Sequence, residues 1–307
     1  MSSWQTHVLN MLIRVQVKRR FRGNPDPVRA RAILGRGTLR VPAGANYRAS
    51  TLGGVAGEWV TRARTTGSAP VLLYLHGGGY FACSPRTHRP ITASFALAGF
   101  DVFVPEYRLA PEHPYPAAVD DVETVWNALR AAGHDAVALT VAGDSAGGGL
   151  ALALMIRLRD EGNALPAAAV LFSPWTDLAA TGASLRANAR RDPMFRPQGV
   201  PTVAAWYLKG ADPRTPEASP LYATLAGLPP MYIEVGEREM LRDDSTRLAA
   251  RARAEGVDAA LTIWPVVPHV WQLACAFLPE GRESLRRAAA FLHQHVGASE
   301  PAHAATA

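Results

Sequence analysis

The segment that decides the fold is residues 138–158, ALTVAGDSAGGGLALALMIRL. Its first seven residues form an apolar run typical of a buried strand, and its last nine are typical of a buried helix. Between them stands Gly-x-Ser-x-Gly, at Gly143, Ser145 and Gly147. A serine in a sharp strand-to-helix turn projects its hydroxyl above the sheet, and the glycines keep Cβ atoms out of the crowded turn. The context predicts a nucleophile elbow with Ser145 as the nucleophile.

Short β-rich runs and helical stretches alternate over the rest of the chain. Several runs are continuously apolar, as expected for strands covered on both faces. This alternation predicts an α/β fold with a mostly parallel, eight-stranded sheet and helices on both faces. The predicted strands are 38–42, 57–62, 71–76, 101–107, 138–144, 169–175, 231–236 and 260–266, and the clearest predicted helices are 117–132, 147–161, 242–255 and 281–295.

One interval is too long for a simple crossover helix. About 55 residues, rich in Pro, Arg and aromatic side chains, separate the strand ending near Trp175 from the one starting at Met231. We expect a cap or lid insertion at about 180–215. The last residues, 298–307, have the small-residue composition of a flexible tail.

The positive charge of the chain is confined to its first 40 residues. The formal net charge is +6, but residues 1–40 hold nine Lys or Arg against one acid and so carry +8, which leaves −2 for the other 267 residues. The distribution argues against nucleic-acid binding by the body of the protein. Two cysteines suit a reducing compartment, and no signal peptide or membrane-spanning run is apparent, so we expect a cytoplasmic protein.

The basic segment begins with an amphipathic helical pattern, flanked by Arg14, Lys18 and Arg19. We expect its apolar face to pack over the body of the protein. Attraction to an anionic membrane surface is the alternative. The apolar residues at helical spacing are Trp4, Val8, Met11, Leu12 and Val15.

A serine hydroxyl needs a base and an acid from elsewhere in the fold. In this architecture the base follows the last strand, which indicates His269, whereas His88 and His113 are expected to pack in loops. The acid should follow the strand 231–236, where four carboxylates compete. We favour Glu239, because Asp243 and Asp244 fall where the next helix begins, and acids at that position commonly cap the helix or interact with its dipole. The candidates are Glu237, Glu239, Asp243 and Asp244.

The stretch LHGGGYFA, residues 75–82, supplies the remaining part of such a site. When Ser145 adds to an acyl carbonyl, the oxygen becomes an anion that N–H donors must stabilise. Backbone amides can approach it only where no side chain intervenes, which explains the glycines. The third strand is the place from which this architecture supplies one donor, and Ala146, just after the nucleophile, supplies another. A P-loop is excluded because no Gly-Lys-Ser/Thr follows.

Together these motifs resemble the hormone-sensitive-lipase-like branch of the α/β-hydrolase superfamily, the bacterial family IV carboxylesterases. The resemblance covers residues 55–295. It implies Ser145 as nucleophile, His269 as base, and an oxyanion hole formed by Gly78, Gly79 and Ala146. The motifs are HGGGY (76–80), YRLAPEHPYPAAVDD (107–121), GDSAGGG (143–149), SPWTDL (173–178) and PH (268–269).

The resemblance also bears on the acid, on residue roles and on domain organisation. Relatives resemble DPLRDE where this chain has EMLRDD, so that Glu239 takes the place of the usual aspartate. His76 is expected to shape its loop, and Cys83 stands where relatives often have glycine. A helical cap is implied, matching residues 1–45, before a catalytic domain at 46–297.

The sequence therefore predicts a serine carboxylesterase for short-chain acyl esters, acting through a Ser-His-Glu triad and an acyl-enzyme without metal or cofactor. Lactones and N-acetyl compounds are alternative substrates, because the same oxyanion forms in each. A ligand receptor with the same fold is a third hypothesis. The presence of His269 disfavours it, because a receptor without turnover is expected to lack the base. We expect a small-molecule ester as the partner, with a homodimer left open. Candidate pocket residues are Tyr80, Phe81, Trp175, Phe195, Trp206 and Tyr207.

Overall fold

The apolar runs of the sequence lie side by side in one sheet. A computed structural model describes residues 2–19, 26–35, 39–63 and 69–297, and in this part of the chain the sheet has eight strands. The strands are β1 (Ala45–Leu52), β2 (Val55–Arg62), β3 (Val71–Leu75), β4 (Asp101–Pro105), β5 (Leu139–Asp144), β6 (Ala169–Phe172), β7 (Met231–Gly236) and β8 (Ala259–Trp264).

The strand order is β1-β2-β4-β3-β5-β6-β7-β8. The first two pairings, β1 with β2 and β2 with β4, are antiparallel, and every later pairing is parallel. Strands β5 and β7 thus end on the same edge of the sheet, where parallel sheets build their sites. The predicted α/β architecture with a mostly parallel eight-stranded sheet is confirmed.

Helices cover both faces of the sheet. Alternate residues of each strand point to opposite faces, so each face has its own apolar core. Leu73 and Leu75 of β3 join one apolar core, while Leu72 and Tyr74 of the same strand join the other. The predicted helices form within two residues of their expected bounds. The helices are α1 (Trp4–Ile13), α2 (Pro27–Leu34), α3 (Arg89–Leu97), α4 (Ala117–Ala131), α5 (Ala146–Asp160), α6 (Ser184–Ala187), α7 (Gly199–Leu208), α8 (Arg242–Ala254) and α9 (Pro279–His295).

One predicted strand is wrong. Residues 39–42 of the run 38–42 have no regular structure, residue 38 lies outside the described part, and the first strand is β1 at Ala45–Leu52. Strand β1 is the outermost strand and pairs only with β2. Its side chains are at most half-buried, so its sequence contains no apolar run from which a strand could be predicted.

The N-terminal helix α1 forms as predicted but packs with its other face. Trp4, Val8, Met11 and Leu12 are all exposed, whereas Thr6 is buried against the body of the protein. The expectation that the apolar face covers the body is therefore wrong. The inner face is held by a polar and an apolar contact: Asn10 Nδ2 donates to the Val266 carbonyl at 2.7 Å, and Leu9 packs against the small apolar cluster that contains Trp271. After α1 a π-helical turn, Arg14–Lys18, extends the segment.

The long interval between β6 and β7 contains α6, α7 and a 3₁₀ turn at Pro220–Tyr222. Its residues 194–206 approach the carboxyl edge of the sheet, where they meet residues of the N-terminal segment. Residues 194–206 of the predicted insertion at 180–215 thus line one cavity together with Ser145, and the role of the whole insertion as a cap or lid stays a prediction. The predicted tail, 298–307, lies outside the described residues. Among the helices described, none has both the length and the apolar character required to cross a bilayer.

The turn after β5 brings three backbone segments together at Gly147. A Cβ there would overlap the Leu75 carbonyl oxygen and approach the His76 oxygen at 2.6 Å, and neither backbone segment can retreat from the sheet. We predict that Gly147→Ala lowers the free energy of unfolding by at least about 2 kcal/mol, the cost of overpacking a rigid core. Chemical denaturation followed by circular dichroism measures the change.

Gly199 provides the matched control, because a Cβ at this first residue of α7 meets no atom within 4 Å. Gly199→Ala should change stability by less than about 1 kcal/mol, in the stabilising direction expected for alanine in a helix. Equal stability of the two variants would contradict the close approach at Gly147.

Candidate active site

Ser145 stands on a strained turn between β5 and α5. Its φ of 53° and ψ of −122° are unusual for a residue with a side chain, and such strain persists only where the surroundings fix it. The Ser145 N–H donates to the Phe172 carbonyl at 2.8 Å, and the Ser145 carbonyl accepts from the Trp175 N–H at 2.9 Å. The hydroxyl is thereby held at the wall of a cavity above the sheet.

A carboxylate and an imidazole meet beside this serine. Glu239 Oε2 lies 2.6 Å from Nδ1 of His269, and both side chains are buried. The other oxygen, Oε1, accepts from the Gly236 N–H at 2.6 Å and from the Ser173 hydroxyl at 2.8 Å. The carboxylate is fixed in position by these two donors, and it holds the His269 ring with Nδ1 toward it.

The structure brings only one of the four candidate acids to His269. Glu237 is half-exposed and lies 3.5 Å from Arg191. The first of the two helical acids, Asp243, accepts from the Ser184 N–H at 2.8 Å. The second, Asp244, is buried and accepts from the N–H groups of residues 176 and 177 at 2.8 and 2.9 Å. Each of these three carboxylates thus makes structural contacts elsewhere.

The second ring nitrogen of His269 remains available. Nε2 is buried and has no hydrogen-bond partner among the described residues. Burial disfavours the charged ring, but the charge and hydrogen bond of Glu239 outweigh it and raise the pKa of His269 above its usual value. The Phe195 ring packs edge-on at 4.7 Å between centroids and limits how the imidazole can turn. Ser145 and His269 line the same cavity, with no hydrogen bond joining them.

Two residues of the glycine loop lie in the wall of this cavity. Gly78 and Gly79 line it with φ values of 120° and 62°, and a Cβ at Gly78 would overlap the Ala82 carbonyl. Neither N–H donates to any group in the described part of the chain. Ala146 is the first residue of α5, where N–H groups lack helical partners and the helix dipole is positive. Gly78 and Gly79 line the cavity, whereas Ala146 is buried next to Ser145 and is not part of the lining; that the three form an oxyanion hole stays a prediction.

A buried network that the sequence analysis missed anchors this loop to the serine turn. Asp144 directly precedes Ser145, and its Oδ1 accepts from the Tyr74 hydroxyl at 2.7 Å and from the Gly77 N–H at 3.0 Å. Its Oδ2 lies 3.2 Å from Nε2 of His88. The only signal in the sequence was the position of an acid next to the nucleophile.

His76 and Cys83 do not provide nucleophilic or basic groups. Burial lowers the pKa of His76 to about 3, so its ring is neutral, and it stacks on Tyr107 at 4.3 Å. Burial raises the pKa of the Cys83 thiol to about 12, although the residue borders the cavity. Cys83 therefore contributes to the wall as an uncharged thiol, and His76 packs behind it as a neutral ring.

A second missed contact fixes the insertion to the acid loop. Asp192 is buried and accepts from the N–H groups of Met194 and Phe195 at 2.7 and 2.9 Å, and from Met240 at 2.8 Å. Lys18 of the N-terminal segment donates to the Asp192 carbonyl at 2.6 Å. The position of Phe195 against His269 thus depends on contacts between three distant segments.

The cavity has a volume of about 740 Å³ and mostly apolar walls. Four of the predicted pocket residues line it, namely Phe81, Trp175, Phe195 and Trp206. The other two predictions need correction, since Tyr80 and Tyr207 are buried and stack on each other at 3.8 Å behind the wall. Residues not predicted from sequence also line it: Val17, Ala30, Leu34, Met194, Val200, Val203, Leu241, Val270 and Leu273.

Comparison with known proteins agrees with this architecture. Residues 72–273 match the sequence profile of the α/β hydrolase fold family. An acetyl-hydrolase of Streptomyces hygroscopicus is 43% identical over 262 residues, which are 85% of this chain and 86% of that protein.

Two solved structures extend the likeness to nearly the whole chain. The protein EstE5, in a crystal soaked with p-nitrophenyl butyrate, is 37% identical with a TM-score of 0.92, over 97% of this chain and 100% of its own. An esterase of the bacterial hormone-sensitive lipase family is 40% identical with a TM-score of 0.88, over the same shares. This chain belongs to the hormone-sensitive-lipase-like branch, bacterial family IV, of the α/β-hydrolase superfamily.

Proposed function

We propose that this protein is a serine carboxylesterase that hydrolyses short-chain acyl esters with Ser145, His269 and Glu239 as its triad. The observation that carries the proposal is the 2.6 Å contact between Glu239 and His269 in the cavity that Ser145 also lines. Membership of an esterase family supports ester bonds as the target. A nucleophile, an oriented base and preformed donors around one cavity are the parts that acyl transfer requires.

In the first step His269 acts as general base. Nε2 accepts the proton of the Ser145 hydroxyl while Oγ attacks the ester carbonyl carbon and the carbonyl π electrons move to oxygen. In many free hydrolases this serine–imidazole hydrogen bond is loose and tightens with substrate, which is consistent with the unpartnered Nε2. Glu239 accepts from Nδ1–H, keeps the ring in the required tautomer and stabilises its positive charge.

The oxyanion is held by the N–H groups of Gly78, Gly79 and Ala146. They are fixed by the loop and the helix start before substrate arrives, so that no reorganisation is needed when charge develops. The buried Asp144 maintains the spacing, since it accepts from Gly77 in the loop and adjoins Ser145 in the chain.

The intermediate then collapses in two stages. The bond to the leaving alcohol breaks as His269 returns its proton to the alcohol oxygen, which leaves an ester on Ser145. Water, deprotonated by the same imidazole, attacks this acyl-enzyme, and the carboxylic acid departs as Ser145 regains its proton. Each catalytic group ends in its starting state, and atoms balance without a further reactant.

Substrate size is set by what surrounds the cavity. We infer that the insertion at 180–215 forms the cap together with the described residues of the N-terminal segment 1–45, because Val17, Leu34 and Phe195 all contribute to the walls. The choice of a short acyl chain rests on the relatives and not on the volume of the cavity. An acetyl-hydrolase among the relatives and a butyrate ester soaked into EstE5 support this choice.

The first prediction from this proposal concerns labelling and chain length. A fluorophosphonate probe should label Ser145, and Ser145→Ala should not be labelled. In a panel of 4-nitrophenyl esters from acetate to palmitate, kcat/KM should be highest for the short acyl chains. Absence of labelling in the folded wild type would favour a ligand receptor on this fold, and rates rising toward palmitate would contradict the short-chain preference.

The identity of the acid gives a second prediction. Glu239→Ala should lower kcat by on the order of 10⁴-fold, because His269 loses its orientation and its counter-charge. Asp243→Ala is the matched control, since that carboxylate contacts Ser184 and not the imidazole, and its kcat should change less than about tenfold. Steady-state kinetics on 4-nitrophenyl acetate give both numbers, and a larger loss in Asp243→Ala would reassign the acid.

The pKa of His269 gives a third prediction. The base must be neutral, and Glu239 raises the pKa of the ring, so the ring keeps its proton to higher pH than free imidazole. The kcat/KM of the wild type should therefore rise with pH through an apparent pKa above 6.5. In Glu239→Gln burial remains while the charge is lost, so the acid limb of the residual activity should move to lower pH. A profile unchanged by Glu239→Gln would contradict the pairing.

A further inference from the structure

Helix α1 is bound to the body of the protein through polar groups. Asn10 donates to the Val266 carbonyl at 2.7 Å, and the Arg14 guanidinium donates to two carbonyls of the insertion at 3.1 Å each. Ser3 contacts Glu280 through both its N–H, at 2.5 Å, and its hydroxyl, at 2.8 Å. Positions 3, 10 and 14 are spaced by seven and four residues, about two turns and one turn, so they lie on one side of the helix and define its inner face.

The opposite face is apolar and open to solvent. With 3.6 residues per turn, positions 4, 8, 11 and 12 fall within an arc of about 100°, which lies opposite the bonded positions, and Val15 continues it. We call these five residues the outer stripe. Their exposed fractions are 71% for Trp4, 40% for Val8, 59% for Met11, 43% for Leu12 and 46% for Val15.

Cationic side chains border the outer stripe at its C-terminal end. Arg19 is exposed, and so is Arg190, whose carbonyl accepts from the Arg14 guanidinium on the inner face. Arg191 is also exposed and lies 3.5 Å from Glu237. At the N-terminal end of the stripe, the Glu280 carboxylate accepts a hydrogen bond from the Ser3 hydroxyl. An excess of positive charge therefore accompanies the exposed apolar surface, in agreement with the +8 balance of residues 1–40.

We propose that the outer stripe docks on an anionic lipid surface. A helix with Trp, Met and Leu on one face and arginines beside them suits the boundary between headgroups and acyl chains, and each arginine gains from anionic lipid. A second copy of the chain fits less well, because a symmetric contact would set two basic segments against each other.

Docking would place the active-site cavity beside the lipid. Val17 continues from the same helical segment and lines the cavity, as do Ala30 and Leu34 of α2. This part of the inference rests on the proposed esterase function. If the enzyme docks in this way, esters dissolved in the lipid surface are a class of substrate that can enter the apolar cavity.

Flotation with phosphatidylcholine vesicles, with and without phosphatidylglycerol, tests the proposal. The wild type should float with the anionic vesicles, and binding should weaken as salt is added because the attraction is screened. Met11→Glu combined with Leu12→Glu should reduce the partition coefficient at least about tenfold, since two apolar side chains are replaced by charges of the same sign as the lipid.

Ile263→Glu is the matched control, because this β8 residue is 45% exposed and lies outside the outer stripe. It should bind vesicles like the wild type. All three proteins should hydrolyse 4-nitrophenyl acetate in solution equally, which establishes folding and reports on the esterase proposal separately. Vesicle binding that survives the double substitution overturns the inference. The inference is also overturned if the wild type does not bind vesicles but sediments as a dimer, and the double substitution converts that dimer to monomers.

Discussion

The hydrogen bond between Glu239 and His269 is the interaction on which the site depends. Both groups are removed from water, and a carboxylate in that position is tolerated only when donors surround it. The backbone N–H of Gly236, the Ser173 hydroxyl and the imidazole together supply those donors. They come from the ends of β7 and β6 and from the loop after β8, so the pair also ties three parallel strands together at one edge.

A second constraint acts on the other side of Ser145. The elbow needs close contact between β5, α5 and the glycine loop, and Gly147 permits it by presenting no Cβ to the Leu75 carbonyl. Asp144 then couples the loop to the elbow through Gly77 and His88. A shift in either segment would therefore move the oxyanion donors and the nucleophile together, which preserves their relative geometry.

The N-terminal segment connects the site to the surface. Lys18 reaches the Asp192 carbonyl, Asp192 holds Phe195, and Phe195 packs against His269. The same segment exposes apolar side chains outward because its hydrogen-bonding residues face inward. Amphipathicity alone does not fix which face of a helix is buried. A polar face can be the docked one when the neighbouring surface offers free carbonyls, as the Val266 oxygen does for Asn10.

The sequence by itself determined the sheet, the elbow and the choice of Ser145 and His269 as candidates. These rest on local requirements: continuous apolar runs for covered strands, glycines at a crowded turn, and a histidine just after the last strand. It missed β1, whose half-exposed side chains form no apolar run, and it favoured Glu239 among four acids within eight positions without any contact to support the choice.

Only the tertiary structure decided which acid meets the imidazole and which way α1 faces. It also placed Tyr80 and Tyr207 behind the cavity wall and showed that Asp192 fixes Phe195. The physical reason is the same for each. Four carboxylates have nearly the same chemistry in sequence, and what separates them is contact between segments that lie apart in the chain. His269 is 30 positions from Glu239, Met240 is 48 positions from Asp192, and Ser184 is 59 positions from Asp243.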